Sequence, residues 1–316
     1  MILLACDMGG TRMKAAVVSD GRIAAQAAIP ARSDRPMREC LASLAAAFRK
    51  LAGEAGVRPA DCAGICLSFP SLVDNASGRV LAEYGKYRDA PGTDLRAWAR
   101  AEFGLPLAIE NDARMALVGE WRHGAGRGHD DLVMITLGTG LGVAALLEGR
   151  LIRGRHGQAA VLGGHTTVRP GGRRCTCGNV GCAETEAATS HLREIAAEQP
   201  GFAASALRAE PELDFAAVFR LARKGDACAR AIAEHSTGVW ATLAVNMIHT
   251  FDPERVILGG GIMAAADQIL PAVRDHVARH AHTPWGRVDV VPAELGDGAA
   301  LMAAEWLMEE HLRLPR

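Results

Sequence analysis

An α/β protein of two related domains is the fold class this sequence predicts, and three observations predict it. A strand, a Gly-Thr turn, a strand, an acidic-Gly turn and a third strand occur at the N-terminus and again from residue 131, roughly 130 residues later, as an old duplication leaves them. Each copy is followed by segments whose apolar residues recur at three- and four-residue spacing. The composition, 49% hydrophobic and 22% charged over 316 residues, is that of a globular chain long enough for two cores.

The first copy is "ILLACD", "MKAAVV" and "RIAAQAAI", joined by "MGGTR" and "SDG", which reads as a three-stranded meander. Residues 36–56 carry apolar positions at helical spacing and end in glycine, and "DLRAWARAEFG" and "ARMALVGEWRHG" behave alike. The second copy is "DLVMITL", "LGVAALL" and "RLIRG". Residues 226–251 then form a long, largely apolar helix, "RVIL" a short strand before "GGG", "IMAAADQILPAVRDHVARHA" a helix, "VDVV" a strand and "GAALMAAEWLMEEHL" a closing helix. The boundary is expected between Gly119 and Gly128: residues 1–120, with the closing helix (299–316) packed on them, form one domain and residues 121–298 the other.

A formal net charge of −1 without long runs of like charge favours neither nucleic acid nor an anionic membrane, and fits a small-molecule substrate. The opening "MILLAC" is broken by Asp7 and is too short for a signal peptide, and no segment approaches about 18 uninterrupted apolar residues, so the chain reads as cytoplasmic. In that compartment thiols stay reduced, which makes the three cysteines packed into residues 171–182 metal-ligand candidates. Cys6, Cys40, Cys62, Cys66 and Cys228 lie in apolar surroundings and read as small core residues.

A Gly-Gly-Thr turn between strands offers backbone N–H groups and a hydroxyl where a phosphate oxygen can approach without meeting a β carbon, and Asp7 before it is placed to hold a hydrated Mg2+ on a nucleotide. "LGTGLG" is no dinucleotide fingerprint: the third glycine is out of register, and a hairpin strand follows where a helix should open. One such turn is weak evidence; two matched turns and "GGG" before a helix are stronger.

"DMGGTRMKAAV", "IENDARMALVGEWRHGAG", "TLGTGLG", "GGHTTV", "CTCGNVGCAE", "VILGGG" and "LGDGAALMAA" occur in the order and approximate spacing of the ROK family of bacterial sugar kinases and repressors, which nearly the whole chain resembles. The resemblance implies the two-domain actin-like ATPase (ribonuclease H-like) fold, whose duplicated domains close over ATP and substrate. It implies that Asp7, Gly9, Gly10, Thr11 and Arg12 serve one phosphate loop, that Gly138, Thr139 and Gly140 serve the second, and that Gly259, Gly260 and Gly261 line the adenosine pocket. A homodimer or a dimer of dimers is the assembly the resemblance leads one to expect.

His165, Cys175, Cys177 and Cys182 supply one imidazole and three thiolates, a soft tetrahedral set suited to a structural Zn2+ with no open position. The resemblance adds that His165 also touches the sugar and that Glu184 holds sugar hydroxyls, with Ser68 and Pro70 in an early substrate loop, "SFPSLVD". "LAIENDARMALVGEW" reads as a strand ending at Glu110, Asn111 and Asp112 before a helix, where Asn111 or Asp112 is either a cap or, as the resemblance implies, Asn111 orients the acceptor hydroxyl and Asp112 is its general base. Three stretches depart from the family. Leu162 stands where a sugar-binding glutamate is usual, Ser71 where glycine is usual, and "EYGKYRDAPG" places Lys86, Tyr87 and Arg88 near the pocket that the resemblance implies. The expected function is ATP-dependent phosphorylation of a hexose other than plain glucose, at the 6-hydroxyl. The alternative is a catalytically silent, sugar-sensing relative; with the first phosphate loop starting at Asp7, no room is expected for a DNA-binding domain ahead of it.

Overall fold

Antiparallel strands need turns that reverse the chain with the sheet's own twist, and Asp20-Gly21, at φ of 51° and 68°, supplies one. The computed structural model describes residues 1–313. Strands β1 (Ile2–Met8), β2 (Arg12–Ser19) and β3 (Arg22–Pro30) form the first meander. Helix α1 (Met37–Glu54) follows, and its apolar face (Met37, Leu44, Phe48, Leu51) is fully buried. Next come β4 (Gly64–Phe69), a short hairpin of the two-residue strands β5 (Val73–Asp74) and β6 (Arg79–Val80), helix α2 (Leu95–Phe103), β7 (Leu107–Asn111) and helix α3 (Asp112–His123). The sheet order is β3-β2-β1-β4-β7, with β1, β4 and β7 parallel. Every residue of β4 is buried between parallel neighbours, so it carries no alternation; the sequence predicts the meander and the strand ending at Glu110–Asp112 but not this one.

The second meander is β8 (Leu132–Leu137), β9 (Leu141–Leu147) and β10 (Arg150–Leu151), with Glu148-Gly149 at φ of 50° and 68° repeating the Asp20-Gly21 turn. Helices α4 (Ala183–Ala187), α5 (Leu192–Ala197), α6 (Phe215–Arg223) and α7 (Ala227–Phe251), strand β11 (Arg255–Gly259), helix α8 (Ala266–His280) and strand β12 (Asp289–Pro292) complete it. Its sheet runs β10-β9-β8-β11-β12, position for position the arrangement of the first. The core here is held by Trp240 on α7, wholly buried, whose indole donates to the Ala187 carbonyl at 3.1 Å and meets Phe215 edge-on at 5.1 Å. Burying each such side chain stabilises the fold by about 1.5–3 kcal/mol.

The chain ends, among the described residues, in α9 (Ala299–Met302) and α10 (Ala304–Arg313). The single closing helix expected from the sequence is thus broken at Ala303, and the last three residues of that expectation, 314–316, lie outside the described residues. Among the described residues, 1–127, 153–159 and those from 297 onward group as one compact unit, and 128–152 with 160–296 as the other. Gly119 on α3 has no β carbon because the Ala299 carbonyl oxygen would lie 2.0 Å from it, so α9 packs directly on that helix. Residues 153–159 join the first unit through Arg114, wholly buried, which donates to Glu110 at 3.2 Å and to the carbonyls of Gly157 and Ala159 at 3.0 and 2.9 Å. Such a network is costly to break, because loss of either charge strands the other. Among the described residues no helix is long and apolar enough to cross a membrane.

Candidate functional site

In the first unit, β7 delivers Asn111 to the N-terminus of α3, and Asn111 is the cap: its Oδ1 accepts from Ala113 N at 3.0 Å and Arg114 N at 3.3 Å. Asp112 is therefore free of capping and occupies the first helical position. Its Oδ1 accepts from Ala113 N at 2.8 Å and Asn111 Nδ2 at 2.9 Å. Loss of solvent, and then the charge of Asp7, push the Asp112 carboxyl up to about 6, against the pull of the Ala113 N–H, Lys86 and Asn111. A carboxylate so tuned takes a proton readily near neutrality.

Asp7, near the end of β1, accepts from Ser68 Oγ at 2.8 Å, and Lys14 Nζ lies 4.0 Å from its other oxygen. Burial raises the Asp7 pKa, while Ser68 and Lys14 lower it. Ser68 sits on β4 and Val73 and Asp74 on β5, so "SFPSLVD" is only partly loop: Pro70 and Ser71 form the bend, and Ser71 O accepts from Asn111 Nδ2 at 3.1 Å. In the turn after β1 the Gly9 carbonyl accepts from Tyr87 OH at 2.8 Å and the Gly10 carbonyl from Ser33 Oγ at 2.6 Å. A trans peptide sets its N–H opposite its C=O, so the N–H groups of Gly10 and Thr11 point away from Tyr87 and Ser33. Thr11 and Arg12 are exposed.

In the second unit, the turn Gly138–Gly140 is held by backbone alone: Thr189 N donates to Gly138 O at 3.1 Å and Ser190 N to Thr139 O at 3.0 Å. Glu184, in the first turn of α4, accepts from Leu141 N at 2.9 Å through Oε2, and a β carbon at Gly140 would lie 2.5 Å from that oxygen. Its Oε1 is 3.9 Å from His165 Nε2. Gly259 ends β11; Gly260, at φ 89°, brings its Cα so near Leu137 that a β carbon would sit 2.3 Å from the Leu137 carbonyl oxygen. Gly261 opens a 3-10 turn (Gly261–Ala265) where the sequence predicted continuous α-helix, and with Phe215, Phe219, Arg220 and Ile262 it lines a cavity of about 380 Å³.

His165, Cys175, Cys177 and Cys182 converge, their ligand atoms all within 4.8 Å of one another. Cys175 Sγ is 3.4 Å from His165 Nδ1, and Cys177 Sγ is 3.7 Å from Cys182 Sγ. Around one zinc ion, tetrahedral N–S and S–S edges are about 3.5 and 3.8 Å from the usual bond lengths, so the donor set fits that ion. Burial pushes the Cys182 thiol up to about 12, which a bound cation would reverse. Glu186, wholly buried and passed over in the sequence, anchors this loop by accepting from Arg173 N at 2.8 Å and Arg173 Nη1 at 2.7 Å; its place two residues after Glu184, on the buried side of α4, is the signal that was available. The remaining five cysteines are buried.

Two sheets of identical order, each with a glycine turn after its central strand, define an actin-like ATPase fold. A model of the ROK family matches residues 3–311, and the chain belongs to that family. It is 30% identical over 320 aligned residues to a glucokinase of Thermotoga maritima, covering 98% of each chain. The crystal structure of a ROK family glucokinase from Streptomyces griseus in complex with glucose and AMPPNP superposes with a TM-score of 0.81 at 30% identity, covering 98% of this chain and 100% of that one. The xylose repressor of Bacillus subtilis is 26% identical over 250 residues, 78% of this chain and 61% of the repressor.

Proposed function

We propose that this protein transfers the γ-phosphoryl group of ATP to a hydroxyl of a hexose, the 6-hydroxyl, with Asp112 as the general base. The observation that carries the reading is Asp112 itself: Asn111 does the capping, leaving an adjacent carboxylate with a pKa of about 6 and no structural duty that asparagine could not perform. In the step, the hydroxyl oxygen attacks the γ-phosphorus and the bond to the β,γ-bridging oxygen breaks. ADP keeps that electron pair, and the hydroxyl proton passes to Asp112. Asn111 orients the acceptor, and the outward N–H groups of Gly10 and Thr11, like those of Thr139 and Gly140, receive phosphate oxygens. Gly259–Gly261 and the cavity beside them take the adenosine. The Oδ2 of Asp7, across from Lys14 Nζ at 4.0 Å, suits a hydrated Mg2+, which would neutralise nucleotide charge. A zinc ion on His165, Cys175, Cys177 and Cys182 would fix the 165–182 loop, which aims His165 and the Oε1 of Glu184 at the sugar. Leu162, half-buried on the turn leading to His165, offers that sugar no acceptor, which directs the choice away from glucose.

The likeness to glucokinases over the full length supports catalysis, and the likeness to a xylose repressor supports a second reading, a sugar sensor without turnover. ADP release measured over a panel of hexoses and amino sugars separates them. Turnover with at least one sugar is expected, and Asp112→Asn should lower kcat by about 100-fold or more with sugar affinity little changed. Sugar binding without ADP release would favour the sensor, and a folded Asp112→Asn protein with normal turnover would move the base elsewhere.

A further inference from the structure

We propose that Lys86 is a catalytic residue of the phosphoryl transfer, its ammonium lying on the Gly9-Gly10 turn to neutralise the oxygens of the group in transit. The inference rests on the kinase reading above and deepens it.

The backbone is bent on both sides of this lysine. Gly85 is at φ 77° and Tyr87 at φ 52°, a conformation a bulky side chain adopts only when its surroundings impose it. What imposes it is the turn itself: Tyr87 is wholly buried, donates its hydroxyl to Gly9 O at 2.8 Å, and donates its N–H to Ser33 O at 2.7 Å. The strained residue thus ties segment 85–87 to the glycine turn and sends Lys86 across it. The stem of Lys86 lies where Gly10 lacks a side chain: a β carbon there would be 2.5 Å from Cε and 2.9 Å from Nζ. Gly10 therefore makes room for an ammonium as well as for a phosphate oxygen.

Lys86 is half-buried, and among the described residues no carboxylate pairs with it. The neighbouring cation, Lys14, is already committed to Asp297 at 3.2 Å and to Asp7. Lys86 is near enough to Asp112 to draw its carboxyl down, against the upward push of Asp7. An unpaired ammonium between a phosphate-binding turn and the base that takes the hydroxyl proton is placed where charge spreads over the three equatorial oxygens of the transferring group. A compact cation with three donors suits those oxygens in any of their orientations.

The test compares the parent with Lys86→Met, Lys86→Arg and Lys86→Ala, using the best sugar of the panel. Removing a preorganised charge of this kind costs about 10²–10³ in kcat, so Lys86→Met should lose that much while its sugar KM stays within about threefold and its melting temperature is unchanged. Lys86→Arg should keep more activity than Lys86→Met, and added propylammonium should restore part of the Lys86→Ala rate with saturation, which a merely structural role would not produce. A Lys86→Met kcat near that of the parent overturns the proposal. A defect confined to sugar KM, without amine rescue, also overturns it, because the lysine would then serve an anionic group on the sugar. Failure of the kinase reading looks different: the parent itself would release no ADP with any sugar. Lys86 is then judged by calorimetric titration with AMPPNP, where a loss of about tenfold in Lys86→Met supports the contact and equal affinity overturns it.

Discussion

The turn after β1 and the turn after β8 occupy the same place in two sheets of identical strand order, yet they are held in opposite ways. In the second, the carbonyls of Gly138 and Thr139 accept from the backbone N–H groups of Thr189 and Ser190. In the first, the equivalent carbonyls of Gly9 and Gly10 accept from two side chains, Tyr87 and Ser33. Both devices turn the following N–H groups outward, because a trans peptide fixes the two directions together. The first turn is also ringed by ionisable groups, Asp7, Lys14, Lys86 and Asp112, and the second meets chiefly Glu184. The same scaffold therefore carries a turn whose carbonyls are aimed by side chains and another whose carbonyls are aimed by backbone, and the first sits beside the proposed base.

The sharpest way to break this contrast is to add one methyl group to each turn. A β carbon on Gly9 would lie 2.6 Å from the Arg12 carbonyl oxygen, which is backbone and cannot step aside. At Gly138 the nearest such atom is 3.9 Å away. Gly9→Ala should then cost about 1–3 kcal/mol of stability, whereas Gly138→Ala should be neutral or stabilise by a few tenths through the unfolded chain. Denaturant melts of both variants decide it; equal losses would mean that the two turns are not built differently.

What the sequence disclosed of all this follows the range of each signal. The meanders, Asp20-Gly21 and Glu148-Gly149 were legible because hairpin turns are made by adjacent residues. The convergence of His165 with Cys175, Cys177 and Cys182 was legible because the three cysteines are close in sequence. Strand β4 was not, since a fully buried parallel strand lacks the alternation that marks an edge of the core. The break at Ala303 and the 3-10 turn at Gly261–Ala265 were missed because tertiary packing overrides helical periodicity there. The choice between Asn111 and Asp112 as cap was undecidable from residue type, as both are good caps, and only the hydrogen bonds of Asn111 to Ala113 and Arg114 settle it. Tyr87 on Gly9 joins residues 78 apart, a pairing that no local pattern announces.

Ionisable surroundings also predict where pH acts. With an Asp112 pKa of about 6, a base that must be ionised is nine-tenths protonated at pH 5, so kcat/KM should rise about tenfold from pH 5 to a plateau above pH 7. The stability effect has the opposite direction. The folded pKa lies above the unfolded value of about 3.9, so this group's contribution is fully present below pH 4 and is lost as pH rises through about 6. Asp112→Asn should accordingly melt higher than the parent at pH 7 and at the same temperature near pH 4. A parent rate flat from pH 5 to 8, or equal melting at both pH values, would remove Asp112 from the role.

The smallest expected effect isolates the side-chain clamp of the first turn. Tyr87→Phe keeps the buried ring and its contact with Phe69, 5.3 Å between centroids, and deletes only the hydroxyl that donates to Gly9 O. A neutral hydrogen bond of this kind is worth about 1 kcal/mol net, and the carbonyl it leaves behind is no longer aimed. The variant should therefore lose about that much stability, and the amide of Gly10, which shares a peptide plane with Gly9 O, should exchange its hydrogen roughly fivefold faster, as the same energy implies. The amides of Thr139 and Gly140 should be unaffected, since their peptide planes are fixed by Thr189 N and Ser190 N. Hydrogen exchange resolved to single amides reads both turns in one experiment. Unchanged exchange at Gly10 would mean that burial of the Tyr87 ring, and not its hydroxyl, sets the direction of the first turn.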